Sequence, residues 1–157
     1  MAKQKDDEEV KVLLRNKKAR HDYHVEQTLE AGVSLVGSEV KSLREGKVVA
    51  SDAYVFIKNG EAFLSQLSIT EYAWANRYNH APKRDRKLLL HRKEIDKLDE
   101  ASARQGYTIL PLEIYLKKGR IKVLIGLCKG KQDHDKRQSS KERDAKREMA
   151  AAIRRAR

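Results

Sequence analysis

The chain has 157 residues, with 35 Lys and Arg against 23 Asp and Glu, giving a formal charge of +12 and a pI near 9.8. Such a balance implies polyanionic partners, nucleic acid first and an anionic membrane surface second. At 39% hydrophobic and 37% charged residues, the apolar material suffices for one modest core but not for the whole length. Cys128 is the single cysteine, which excludes an intramolecular disulfide and fits a reducing compartment. In Met1 to Arg20 the only apolar patch is Val10 to Leu14, too short for a signal-peptide core or a bilayer span, so a cytoplasmic protein without membrane attachment is expected.

Residues 1–14 read as a flexible, charged arm. A basic cluster follows at Arg15, Lys17, Lys18 and Arg20, just ahead of a strand from Tyr23 to Leu29. Glu30-Ala31-Gly32 reads as a turn into Val33 to Val36. Ser38 to Arg44 suits a short helix, capped by Ser38 and stopped by Gly46. Tyr54 to Ile57 and Ala62 to Ile69 flank Asn59-Gly60, a hairpin signal. The stretch from Lys83 to Lys93 holds six basic residues against Asp85 alone, Lys87 among them. His91 to Gln105 predicts a helix with Ile95 and Leu98 inward, ended by Gly106. Tyr107 to Leu116 and Ile121 to Leu127 alternate in polarity about Lys118-Gly119, a second hairpin. Many short strands with small helices predict a mainly β fold: a small closed barrel, OB-like among the candidates, spanning residues 15–130.

Beyond Gly130 the composition changes. Lys129 to Arg157 carries eleven Lys or Arg against five Asp or Glu, half of the net charge, with Met149 and Ile153 as its few large apolar residues. Residues 131–157 therefore read as a basic tail, disordered alone. Ser139 and Glu142 fit a capping box, and no Gly or Pro follows, so a charged groove would induce a helix with Arg143, Arg147 and Arg154 on one face.

Catalysis has little support in the sequence. His21 and His24 are read on one strand, pointing to opposite faces, and His80, His91 and His134 are scattered. Glu30 and Glu39 lack a defined acid-base geometry, and no phosphate-cradling glycine loop occurs. Three basic clusters with Tyr23, Tyr72, Trp74, Tyr78 and His80 nearby favour RNA, where phosphate contacts combine with base stacking. The rival readings are a ribosomal protein and an RNA-processing enzyme.

Several blocks resemble one family in uninterrupted order from Asn16 to Arg147. Asn16-Lys17-Lys18-Ala19-Arg20-His21-Asp22-Tyr23, Glu30-Ala31-Gly32 and Glu39-Val40-Lys41-Ser42-Leu43-Arg44 are similar to the opening blocks of the small protein B family, the SsrA-binding proteins. Arg86-Lys87-Leu88-Leu89-Leu90-His91 resembles its central block. Gly126-Leu127-Cys128-Lys129-Gly130-Lys131, Asp135-Lys136-Arg137 and Lys141-Glu142-Arg143 resemble its closing block. The resemblance implies a non-catalytic adaptor without a cofactor, most simply a monomer. It would bind the tRNA-like domain of transfer-messenger RNA (tmRNA) and deliver it to stalled ribosomes for trans-translation, with elongation factor Tu and GTP travelling on the RNA. The protein would stand where an anticodon arm lies, and its tail would pass the small-subunit decoding centre into the empty mRNA channel.

The resemblance also implies site residues. Asn16, Glu30, Leu89 and Lys122 match positions associated with RNA binding, and Lys18, Arg20, His21, Lys41, Arg44 and Lys87 complete that set. Gly130, Lys131, His134, Asp135, Lys136 and Arg137 match the ribosome-engaging segment, continued by Lys141, Arg143, Arg147 and Arg154. The family often carries a bulky aromatic in the tail helix, and this tail has none.

Overall fold

Both hairpins form at the expected turns. In the computed structural model, which describes residues 10–74, 79–131 and 133–155, β4 (Tyr54–Lys58) meets β5 (Glu61–Ser65) around Asn59-Gly60. β8 (Tyr107–Lys117) meets β9 (Arg120–Gly130) around Lys118-Gly119. Both residues of each turn have positive φ, 53° and 73° in the first and 50° and 74° in the second, the backbone hand that matches strand twist.

These hairpins build a sheet that closes on itself. β2 (Tyr23–Val33) pairs with β9 and with β7 (Arg86–Leu89), β7 pairs with β5, β4 pairs with β8, and β8 returns to β9. Closure leaves these strands without a free edge. Val55, Leu64, Leu88, Ala31, Val123, Ile125 and Ile114 point inward and form one core. Leu43 of α2 (Gly37–Arg44) and Ile95 and Leu98 of α3 (Arg92–Ser102) join it. A short pair, β3 (Val48–Val49) with β6 (Ser68–Ile69), lies beside the ring. The mainly β expectation holds.

Several boundaries differ from the sequence reading. Val10–Arg15 forms strand β1 along β8, so ordered structure begins inside the stretch read as a flexible arm. Lys17–Asp22 forms helix α1, which puts His21 on a helix and His24 on β2 rather than both on one strand. Glu30-Ala31-Gly32 is no turn. β2 runs through it, because Glu30 pairs with Leu124, Ala31 with Val123, and Gly32 with both Lys122 and Leu89. Conversely, the run from Ala62 to Ile69 breaks at Gln66, whose φ of 58° interrupts β structure. Val36, not Ser38, precedes α2, and the Ser38 hydroxyl instead meets His80 Nδ1 at 2.8 Å.

Pro111 and Glu113 bracket a bulge in β8. A proline inside a strand is tolerated at such a site because it has no N–H to give the ladder. The bulged Leu112 is fully buried, and Gly126 across the pair leaves room for it: a Cβ there would lie 2.7 Å from Leu112 Cδ1.

The tail is helical. α4 spans Asp133–Arg155, so Ser139 is an interior position and not the cap that its spacing with Glu142 suggested. Lys141 to Ala150 are exposed throughout, Met149 and Ile153 included among the exposed apolar side chains. The side chains of His134 and Asp135, and Tyr78 entirely, lie outside the described residues.

Candidate nucleic-acid interface

The expected RNA-binding residues fall at the two ends of β2. At its far end Glu30, Leu89 and Lys122 converge from β2, β7 and β9. Leu89 is 57% exposed, so it is a surface residue and not part of the core. It lines a shallow groove with Val33 of β2, Val40 of α2, and Arg120 and Lys122 beside the β8–β9 turn. Lys41 and Arg44 stand exposed on the same helix as Val40. The β7 strand carries Lys87 two residues from Leu89, outward and paired with Glu61 at 3.3 Å.

Glu30 in this groove's neighbourhood is held ionised. Tyr115 Oη donates to its carboxylate, which is the main reason its pKa lies below the ordinary value; desolvation opposes this, and Lys117 and Lys122 assist. Burial and the same bond push the Tyr115 phenol well above its usual range. A fixed carboxylate flanked by lysines can accept hydrogen bonds from base or ribose donors while the cations meet phosphate. Tyr115, Lys117 and Arg120 are parts of this arrangement that sequence reasoning missed. Their positions flanking the Lys118-Gly119 turn were the available signal.

α2 is fixed behind this face by an internal ion pair. Glu39 is fully buried, accepts from Val36 N–H at 3.0 Å, and bonds both Arg84 and the fully buried Arg86. Arg86 also donates to the carbonyls of Leu67, Arg84 and Pro82 at 2.7, 3.1 and 3.0 Å. Burial raises the Glu39 carboxyl's pKa, but the bonds from Arg84, Val36 and Arg86 outweigh it, and the net direction is down. Two members of the second basic cluster, Arg84 and Arg86, are therefore tied to Glu39, and Arg86 is fully buried. Glu39 and Glu30 sit in separate environments.

At the near end of β2 lies α1. Asn16 is 7% exposed, and its side chain is committed inward. Its Oδ1 accepts from Ala19 N–H at 3.2 Å, capping α1, and its Nδ2 donates to Pro111 and Ala50 carbonyls at 2.9 and 3.4 Å. The bulge in β8 supplies that Pro111 carbonyl. Asn16 thus fixes α1, which presents exposed Lys18 and Arg20; these make loose ion pairs with Asp52 and Glu113 at 4.0 and 3.9 Å.

The tail begins at this same end. Lys131 N–H donates to the Asp22 carbonyl at 2.9 Å, directly after Gly130 closes β9. His21 lies between Asp22, 2.8 Å from Nδ1, and Ser140 of α4, 2.9 Å from Nε2. One helix turn of candidate RNA-contacting residues is thereby joined to the root of the tail. Lys136 is half-buried there, and Arg137, Lys141, Arg143, Arg147 and Arg154 are exposed along α4. Among the described residues no group of His, Cys, Asp and Glu gathers as metal ligands would, and no helix is long and apolar enough to cross a membrane.

Comparison with known proteins places this geometry. A solved structure described as "tmRNA-SmpB: a journey to the center of the bacterial ribosome" shares the fold at a TM-score of 0.67 and 41% identity, over 82% of this chain and 94% of that one. The SsrA-binding protein of Shouchella clausii (strain KSM-K16) is 54% identical over 145 residues, 92% of this chain and 93% of the relative. That of Bacillus subtilis (strain 168) is 51% identical over 144 residues, 92% of each. The SmpB protein family model matches residues 13–155, and with these relatives it shows that the chain belongs to the SmpB family.

Proposed function

We propose that this chain binds the tRNA-like domain of tmRNA and brings it to stalled ribosomes, so that nascent chains are tagged for proteolysis by trans-translation. The observation that carries the reading is the convergence of Glu30, Leu89 and Lys122 from three strands that are distant in sequence. The relatives named for binding SsrA RNA, and the solved neighbour named for tmRNA on the ribosome, support it.

In this reading the closed sheet, OB-like in type, carries RNA recognition, and the protein takes the place of an anticodon arm. Lys41, Arg44, Lys87, Lys122 and the α1 cations meet phosphate, which makes affinity salt-dependent. Elongation factor Tu with GTP joins through the RNA, and the protein acts in the cytoplasm as a monomer and without catalysis of its own. Gly130 to Arg137 reach the decoding centre, and the Arg143, Arg147 and Arg154 face of α4 enters the empty mRNA channel. Isolated helices of this length are marginal in water. With Lys141 to Ala150 exposed, α4 beyond Ser140 owes its helix to the channel and loosens in the free protein.

Removing everything after Lys131 separates the two halves. The shortened protein should keep most of its affinity for a tRNA-like-domain transcript, with log K falling by roughly 0.7 to 0.9 per decade of salt for each phosphate neutralised. Tagging on stalled ribosomes should be lost. A flat salt response, or RNA affinity lost with the tail, would overturn the reading.

A further inference from the structure

Between β6 and β7 the described residues 70–74 and 79–85 run beside each other as an arm that the RNA face above does not use. Its rungs are defined. Ile69 N–H bonds the Pro82 carbonyl at 2.9 Å, and Asn79 both accepts from Tyr72 N–H at 3.0 Å and donates to the Tyr72 carbonyl at 2.7 Å. Thr70 N–H bonds the Lys47 carbonyl at 3.1 Å, so the arm starts against the chain between α2 and β3. His80 fixes the arm's return: Ser38 Oγ lies 2.8 Å from Nδ1, and Nε2 donates to the Ile69 carbonyl at 2.8 Å. These bonds hold the Tyr72 end in register with the folded core.

Two residues past Tyr72 stands Trp74, 80% exposed, more than any other large apolar side chain among the described residues. A rigidly based arm that leaves an indole in water loses the burial that its large apolar surface would gain. The chemistry around it selects a partner. Lys41 lies over the Tyr72 ring, 5.4 Å from its centroid, and Arg44, Lys47 and Lys83 are exposed on the elements that carry the arm. An exposed indole two residues from a tyrosine that carries a lysine over its ring matches a nucleobase and its phosphates better than it matches an acidic peptide, which offers no flat face for the indole. Lys41 follows Val40, which lines the Leu89 and Lys122 groove, so the helix that bounds the groove also carries the lysine that meets the arm.

We propose that Trp74 stacks on an unpaired base of the bound RNA, with Lys41, Arg44 and Lys47 on the adjoining phosphates. This rests on the RNA-binding reading above. Trp74 is the only tryptophan in the chain, so its own emission reports the contact. The experiment titrates the full-length protein with the tRNA-like-domain transcript of tmRNA and with a fully paired duplex of equal length, following fluorescence and, separately, filter binding. The expected result is quenching by the transcript and not by the duplex. Trp74→Ala should weaken transcript binding about tenfold and Trp74→Phe by less than about threefold, since either ring can stack. Unchanged urea midpoints would show that both variants fold.

Transcript binding without quenching, and with Trp74→Ala binding as the native protein does, overturns the proposal and leaves the tmRNA reading intact. Intact RNA affinity with loss confined to ribosomal tagging also overturns it and assigns the arm to another macromolecule. If the native protein fails to bind the transcript in filter assays, the underlying reading falls, and the stacking proposal with it.

Discussion

Removing the Glu39 carboxylate should be among the most damaging single changes available to this protein. Glu39 and Arg86 both have fully buried side chains, and Arg84 closes the pair from the surface side. In Glu39→Ala, Arg86 keeps its bonds to three carbonyls but loses the carboxylate bonded to it, with its side chain fully buried and only the more distant Asp85 charge left to oppose it. Breaking a buried pair by deleting one partner costs about 3–5 kcal/mol. The exposed pair of Arg92 with Asp96, at 3.3 Å and with side chains 75% and 63% exposed, supplies the contrast: Asp96→Ala should cost less than about 0.5 kcal/mol. With a urea slope of about 1–3 kcal/mol/M, Glu39→Ala should lower the unfolding midpoint by about 2 M while Asp96→Ala barely moves it. The acid limb gives a second reading. Because the folded-state pKa of Glu39 lies below 4.5, the unfolded chain takes up the proton first, so the pair's stabilisation is full above that value and is lost as pH falls through the folded pKa. Glu39→Gln should flatten that limb. Equal urea midpoints for Glu39→Ala and Asp96→Ala would refute the reasoning.

Asn16→Ala removes a helix cap and two ties to the β8 bulge, so it should cost about 2 kcal/mol in urea unfolding and also weaken RNA binding; lost RNA affinity with unchanged stability would mean that the amide contacts RNA directly. Cys128 is fully buried, and burial pushes its thiol up to about 11 despite the opposing bond from the Leu110 backbone. It should stay unreactive toward a disulfide reagent at pH 8 in the native protein and react fully in urea, and fast native labelling would contradict its placement.

The two hairpins were legible because turn chemistry is local: Asn59-Gly60 and Lys118-Gly119 specify their own backbone hand. Helix α2 was legible from its cap and stop signals and α3 from periodicity, with their starts displaced because Glu39 and Glu94 bond the N–H groups of Val36 and His91. What remained hidden depends on distant partners. The six-residue α1 is too short to stand alone and exists because Asn16 reaches Pro111 and Ala50. Strand β7 reads as a basic run, since its inward residue Arg86 is charged and its counter-ion lies on another element. For the same reason the second cluster seemed richer in phosphate ligands than it is. The RNA-binding set taken from family resemblance divided in two. Glu30, Leu89 and Lys122 met on one face, whereas Asn16 went inward, a distinction that depends on register and cannot be read from residue type.

β2 has a consequence of its own. It carries Tyr23 opposite Gly130 at one end and Gly32 opposite Lys122 at the other, an eleven-residue strand with one bulge between Val25 and Gln27 and at most about 33 Å long. The groove around Leu89 is thereby set at a constant distance from the root of the tail. A strand cannot stretch, so this interval acts as a ruler between whatever grips the groove and whatever receives α4. Inserting one residue in β2 would reverse which side chains face the core as well as lengthen the ruler. Changes of span between the two partners must therefore be absorbed outside the sheet.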